Sequence, residues 1–292
     1  MRRIFSGLRR FLPIPGLRNR APLVAVLRLA GPIGMAGAPA RSSMSLSALA
    51  RDLESAFTLW GVRAVALVVN SPGGSPVQSN LIYGRIRALA AEHEVPVFAF
   101  TEDVAASGGY WLACAGDEIY ADPNSIVGSI GVISAGFGFP ELLKKIGVER
   151  RVHASGEYKG MLDAFGPEKE SEIRRLKAIQ KNIHDSFKEL VRERRGDRLK
   201  GTDRKLFSGE FWTGAQALEL GLVDGVGDVR SVMRARFGDD VDLRLVGRRV
   251  RRFGISLRSD LRGDGALNGL ADWPERLLAA AEARTMWSRF GL

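Results

Sequence analysis

"AVALVVNSPGGSPVQSNLIYGRIRALAAEHEVPVFAF", residues 64–100, carries a complete structural unit. Its first part, "AVALVVN" (64–70), is a short continuous apolar run, the pattern of a strand covered on both faces. "VQSNLIYGRIRALAAEH" (77–93) spaces its apolar residues as an amphipathic helix does, and "VPVFAF" (95–100) is a second buried strand. Strand, helix and strand at this spacing predict a parallel pair joined by a crossover helix. The loop between the first two elements is "NSPGGSP" (70–76). Pro72 fixes one φ angle there, and Gly73 and Gly74 open conformations closed to other residues. Such a turn can aim backbone N–H groups into a cleft, and it lies where open α/β sheets place their sites. Taken alone it is equally an ordinary Pro-Gly turn.

The alternation continues on both sides. "LVAVLRL" (23–29) predicts a strand, and "SLSALARDLESAFTLWG" (45–61) a helix with Ser45 as its N-cap. "GYWLACAG" (109–116) reads as a short helix and "EIYAD" (118–122) as a strand. "SIVGSIGVISAGFG" (125–138) mixes strand character with glycine turns; "FPELLKKIG" (139–147) is a helix and "VERRVHA" (148–154) an exposed strand. One long charged helix covers "EKESEIRRLKAIQKNIHDSFKELVRERRG" (168–196), and "GAQALELGLVDGVGD" (214–228) gives a helix, a glycine stop and a turn. The whole predicts an α/β fold with a mostly parallel sheet, in one domain over 21–245. A basic arm (1–20) precedes it, and a basic segment with a C-terminal amphipathic helix (246–292) follows.

The 292 residues carry a formal charge of +10, unevenly placed. Residues 1–20 hold six arginines and no acid, and residues 244–262 hold seven more arginines. These patches lack aromatic interleaving and any nucleic-acid-binding motif, so no nucleic-acid partner is expected. A membrane surface or simple solubility explains them better, and residues 1–20 also have the composition of an organellar presequence. The longest apolar stretch, near residues 21–40, is broken by Arg28, prolines and glycines, so no transmembrane helix is expected. The single cysteine, Cys114, excludes a disulfide framework and reads as a small buried hydrophobe. Without clustered His, Cys or carboxylate ligands, neither a metal nor another cofactor is implied.

The second strand-to-helix junction is "EDVAASGGYWLACAG" (102–116). Ser107 stands there between two alanines and two glycines, directly before an apolar run. The pattern resembles a nucleophile elbow, with Ala105 in place of the first glycine and Gly109 retained. The N–H of Gly108 would lie beside the serine and could join that of Gly73 or Gly74 in holding an oxyanion. A serine hydroxyl needs a base. Of the three histidines, His93 and His184 lie on polar helix surface, and only His153 is a serious contender. "SGEYKGMLDAFGP" (155–167) offers another: Lys159, flanked by Tyr158, Gly160, Met161 and Leu162. A lysine works as a general base only as the neutral amine, a form that an enclosed site favours. By itself, without the serine loop, Lys159 reads as a surface lysine.

"NSPGG", "ASGGYW", "SIVGSIGV", "GEYKGMLDAF" and "FWTGAQALELGLVDGVGD", in this order, resemble the bacterial signal peptide peptidase A family. The resemblance runs from about residue 22 to 230 and implies a Ser/Lys-dyad serine protease with a ClpP/crotonase-like fold of repeated ββα units. It implies Ser107 as nucleophile, Lys159 as general base 52 residues later, and Ser129 as the serine that orients the lysine. Gly73 or Gly74 with Gly108 match the oxyanion donors, and "LGLVD" is structural. Short members of the family form ring-like homo-oligomers in which the serine of one subunit can meet the lysine of the next. The implied substrates are small peptides such as remnant signal peptides. Most members carry an N-terminal membrane anchor; here a basic arm stands in its place, which implies a cytoplasmic protein with peripheral membrane contact at most. A ClpP-type Ser-His-Asp protease would need a histidine after the nucleophilic helix, and residues 108–152 contain none. A crotonase-like acyl-CoA enzyme would need neither Ser107 nor Lys159, and a non-catalytic scaffold would not require both with Ser129.

Overall fold

In the computed structural model the described residues are 21–34, 43–247 and 273–292. The basic arm (1–20) and most of the second basic segment (248–272) lie outside them. The first half of the chain follows the predicted alternation. Strand β1 (Leu23–Ala30) leads through helix α1 (Leu46–Thr58) to β2 (Val62–Ser71), and α2 (Pro76–His93) leads to β3 (Val97–Ala106). Ser45 caps α1 as expected, its Oγ accepting the Ala48 N–H. A short helix α3 (Gly108–Ala113) then precedes strands β4 (Glu118–Ala121) and β5 (Ile126–Gly128).

The second half is mostly helical. Helix α4 (Pro140–Lys145) sits in a long, largely exposed segment, and α5 (Glu170–Arg195) returns to the domain. A one-turn helix α6 (Asp203–Leu206), strand β6 (Phe211–Thr213), helix α7 (Gly214–Glu219) and strand β7 (Gly225–Val226) follow. Helix α8 (Val229–Phe237) leads to β8 (Asp242–Val246), and α9 (Trp273–Ser288) ends the chain.

The main sheet runs β6-β5-β3-β2-β1-β8, with β4 branching from β3 and β7 from β4. Every pairing is parallel except β5 with β6. The expected α/β architecture with a mostly parallel sheet is therefore what the chain forms. Strand β3 has two successive partners on one edge: Phe98–Thr101 pair with β4, and Val104–Ala106 with β5. That switch carries the end of β3 beside Gly128.

On one face of the sheet Leu53, Ala56 and Phe57 of α1 and Ile82, Ile86 and Leu89 of α2 join α3 and the inner face of α5 in the main core. On the other face Met233 of α8 packs on Val24, Ala64, Ala66, Phe98 and Phe100. A buried ion pair locks the closing motif. Arg195, 1% exposed, donates twice to Asp224 at 2.7 and 3.0 Å and once to the Gly221 carbonyl at 2.9 Å. Asp224 also accepts the Ile119 N–H, and Tyr110 donates to the Leu222 carbonyl, so "LGLVD" is indeed structural.

Two expectations need correction. "VERRVHA" (148–154) forms no strand, and all its residues are exposed. The segment pairs with no strand of the sheet, and without a partner strand its backbone has no ladder to join. Conversely, the sequence reading places no strand over 242–246, where β8 forms at the edge of the sheet. Among the described residues no helix is long and apolar enough to cross a membrane.

Candidate active site

Ser107 sits between the end of β3 and the start of α3, with φ 53° and ψ −121°. A non-glycine residue holds such a conformation only where its surroundings enforce it. Here its N–H donates to the Gly128 carbonyl at 2.8 Å, and its own carbonyl accepts the Trp111 N–H at 3.0 Å. Tyr110, Trp111, Leu112 and Ala113 are buried, so the helix that follows cannot swing away. The predicted elbow is thus built, and it leaves the Ser107 side chain half-buried rather than sealed.

Two glycine backbones close on that serine. Gly73 has φ 103°, and a methyl group on it would lie 2.8 Å from Ser107 Cβ and 2.9 Å from the Gly108 nitrogen. A methyl on Gly108 would lie 2.5 Å from Ser79 Oγ and 3.4 Å from Gly73 Cα. The "SPGG" and "SGG" loops therefore touch backbone to backbone, a contact that no side chain permits. As the first residue of α3, Gly108 has an N–H with no carbonyl to reach inside its own helix. Gly74 belongs to a short parallel bridge with Ile33: the Ile33 N–H donates to the Gly73 carbonyl, and the Ser75 N–H donates to the Ile33 carbonyl.

The loop is held by residues that sequence inspection passed over. Ser71, fully buried, donates to the Gly31 carbonyl at 2.7 Å and accepts the Gly73 N–H at 3.2 Å. Asn70 donates to Asp103 at 2.6 Å and accepts the Val104 N–H at 3.3 Å, tying the ends of β2 and β3 together. The signal was present as the polar pair immediately before Pro72.

Ser129 follows the carbonyl that receives the Ser107 N–H. It too lies in the left-handed region, at φ 52°, with its N–H donating to the Glu210 carbonyl at 2.7 Å. The fold thus brings Ser107, Gly73, Gly108 and the Ser129 backbone into one neighbourhood. Lys159 is elsewhere: it is exposed, on a turn where its N–H donates to the Gly156 carbonyl at 3.2 Å. No hydrogen bond among the described residues joins its side chain to Ser107 or Ser129.

The other nucleophile and the histidines are placed as follows. Burial pushes the Cys114 thiol up to about 12, so it stays a protonated, inert core residue, as expected. His153 is exposed. His184, expected at the surface, instead sets its Nε2 3.1 Å from the Ile130 carbonyl, one residue past Ser129. Half-buried there, it helps to seat the segment leaving β5.

A family model described as peptidase family S49 matches residues 90–241, which include Ser107, Gly108, Ser129 and Lys159. The chain belongs to peptidase family S49. Gly73 and Gly74 precede the matched stretch. A protein named serine protease SPPA, chloroplastic, of Arabidopsis thaliana is 30% identical over 76% of this chain and 33% of its own length. A putative signal peptide peptidase SppA of Enterococcus faecium is 33% identical over 57% of this chain and 48% of its own. A Brucella abortus protein named Na(+)/H(+) antiporter NhaA is 52% identical over 92% of this chain. That match takes in 37% of the antiporter, so the chain spans less than half the length of each of these relatives. Two of these relatives, from Arabidopsis and Enterococcus, carry protease or peptidase names.

Proposed function

We propose that this chain is an endopeptidase in which Ser107 attacks the peptide carbonyl and Lys159 serves as general base. The observation that carries this is the Ser107 elbow: a non-glycine residue at φ 53°, pinned on both sides, with Gly73 and Gly108 packed against it. Neither an acyl-CoA enzyme using only the glycine loops nor a scaffold has any use for that strain.

The chemistry proceeds in two halves. Lys159, as the neutral amine, takes the Ser107 proton while Oγ bonds to the carbonyl carbon and the carbonyl oxygen becomes the oxyanion. Backbone N–H groups stabilise that charge as it forms. Gly108 supplies one. Because the Gly73 N–H is already directed at Ser71 Oγ, Gly74 is the better second donor, with Gly73 shaping the approach. The lysine returns its proton to the leaving amine as the C–N bond breaks, and a water molecule then hydrolyses the acyl-serine by the reverse sequence. Ser129 orients the lysine.

Lys159 must come to Ser107, and the single chain leaves it outside. The segment that bears it exposes Ile133, Phe137, Ile146 and Val152, with Phe137 82% exposed. Apolar side chains at this density on one protruding segment mark a contact surface. A ring of copies would cover them, enclose the lysine and place it at the serine of the adjacent subunit. Enclosure also limits substrates to short, extended peptides, such as remnant signal peptides. The basic residues 1–20 support peripheral contact with a membrane surface.

A serine-directed fluorophosphonate probe tests the assignment. Labelling of the wild type that disappears in Ser107→Ala is the expected result. Labelling that persists without Ser107 would sink it.

A further inference from the structure

We infer that Glu172 is a positioning residue for Lys159, holding the turn that carries it through the backbone of Leu162. This rests on the Ser107–Lys159 reading above and identifies what sets the lysine's place on its own subunit.

Glu172 is the third residue of α5, whose N-cap, Lys169, makes no side-chain cap. A glutamate at that position ordinarily reaches back to the N-cap N–H. Glu172 reaches outward instead. Its Oε2 accepts the Leu162 N–H at 2.9 Å, and its Oε1 lies 3.3 Å from Lys169 Nζ. The residue is only 6% exposed, although residues 167–171 just before it are all exposed. A carboxylate is rarely buried so near the surface without a specific task. The Leu162 N–H, with Lys169 in support, outweighs the effect of burial and holds the carboxyl below the usual range, so it remains an ionised acceptor.

The other half of the contact is also costly. Leu162 has φ 60°, one of only four non-glycine residues in the left-handed region among those described. Two of the others are Ser107 and Ser129. Such a conformation is costly and persists where its surroundings over-determine it. Upstream of Leu162 the turn is bonded only to itself: Lys159 N–H to Gly156 O, and Met161 N–H to Tyr158 O. The Tyr158 ring lies under Arg175, and Asp163 is held by Arg150. Glu172 is thus the hydrogen bond that ties the turn to the long helix, three residues after Lys159. A buried carboxylate and a strained leucine meet where the lysine's backbone must be fixed.

The test compares Glu172→Ala, Glu172→Gln and Lys169→Ala with wild type, Lys159→Ala and Ser107→Ala, all as full chains. The readouts are kcat and KM on a fluorogenic peptide, Tm, and amide exchange over residues 156–163. Glutamine keeps an acceptor for the Leu162 N–H; alanine does not. Misplacing a reacting group by about 1 Å can cost about 10²-fold. Glu172→Ala should therefore lose roughly 10²-fold in kcat with KM within about threefold, and exchange at Leu162 should quicken. Glu172→Gln and Lys169→Ala should stay within about threefold of wild type in kcat. Wild-type kcat in Glu172→Ala beside an inactive Lys159→Ala would overturn the proposal, as would Glu172→Gln falling as far as alanine. A Glu172→Ala chain that does not fold would make Glu172 a support of the fold and overturn it equally. Wild-type turnover in Lys159→Ala would instead overturn the Ser107–Lys159 reading beneath it.

Discussion

The two halves of the proposed dyad rest on opposite kinds of structure. Ser107 grows out of the densest part of the molecule, between the buried end of β3 and a helix of buried side chains. Lys159 rides on a segment that is exposed along most of its length, from Ile133 to Phe165. The first region is finished by its own chain: backbone strain, two glycine loops and the Gly128 carbonyl leave no freedom. The second is organised locally, by the Phe137–Phe139–Phe165 ring cluster, the Arg150–Asp163 pair and the Glu172 contact, yet it leaves its apolar side chains uncovered. Under the proposed mechanism, the contrast means that the chain pre-forms its nucleophile and oxyanion site and leaves the base to be delivered by assembly.

The largest effect expected falls on chemistry in both regions equally. Ser107→Ala and Lys159→Ala should each lower peptide hydrolysis by about 10⁴-fold or more while leaving the chain folded, as peptide-cleavage rates and circular dichroism would show. Substantial turnover in Lys159→Ala would break the comparison, with His153 next in line as base.

Gly73→Ala separates the elbow from the Lys159 arm, the exposed segment 133–165. The added methyl meets Ser107 Cβ at 2.8 Å and the Gly108 nitrogen at 2.9 Å, at a φ of 103° that alanine resists. The expected loss is about 10²–10³-fold in kcat, the scale of a damaged oxyanion site, without change in oligomer mass. A kcat within threefold of wild type, on the scale of scatter between preparations, would deny the glycine contact its role.

Stability belongs to the core region alone. Removing Asp224 leaves Arg195 buried without its partner, a loss of about 3–5 kcal/mol, so the Asp224→Ala chain should melt on the order of 10 °C lower. Burial raises the Asp224 carboxyl, but Arg195 and the Ile119 N–H more than offset it, leaving it below the usual range. Its contribution is therefore fully present above the unfolded carboxylate value of about 3.9 and fades as pH falls through the lower folded value. The Tm gap between wild type and Asp224→Ala should narrow only in that acidic window. A gap that is constant down to strong acid would contradict the sign.

The smallest effect on folding should come from the arm. Phe137→Asp changes a side chain that is 82% exposed, so unfolding stability should shift by no more than about 0.5 kcal/mol. Its effect should appear in light scattering, as a fall in assembly mass, with activity falling alongside. Unchanged mass would mean that the exposed apolar residues cover nothing.

The fold was legible where burial is two-sided. "AVALVVN" and "VPVFAF" declared themselves because a parallel strand under helices is apolar throughout. β8 did not, since "DLRLV" is an edge strand with no fully buried residue and looked like its basic surroundings. "VERRVHA" erred in the other direction: its local pattern is that of a strand, but a strand also needs a partner strand, and that is a property of the whole fold. The elbow could be read because small residues on both sides of a serine are a local signal. Glu172 could not, because in "EKESEIRR" it is one acid among many, and only the folded chain shows it turning inward to Leu162. Lys159 was conspicuous by its loop and the family resemblance, but the chain alone does not enclose it.

The claim that the elbow is complete and the arm awaits a neighbour is tested most directly by co-expressing Ser107→Ala with Lys159→Ala and assaying the purified mixed assemblies. Each variant alone should be inactive. In randomly mixed rings roughly a quarter of the sites shared between neighbours would pair an intact serine with an intact lysine, so peptide cleavage should return to about that fraction of wild type. Mixed assemblies that form, as shown by two distinguishable tags on one particle, yet cleave nothing would contradict the account and place both residues within a single chain.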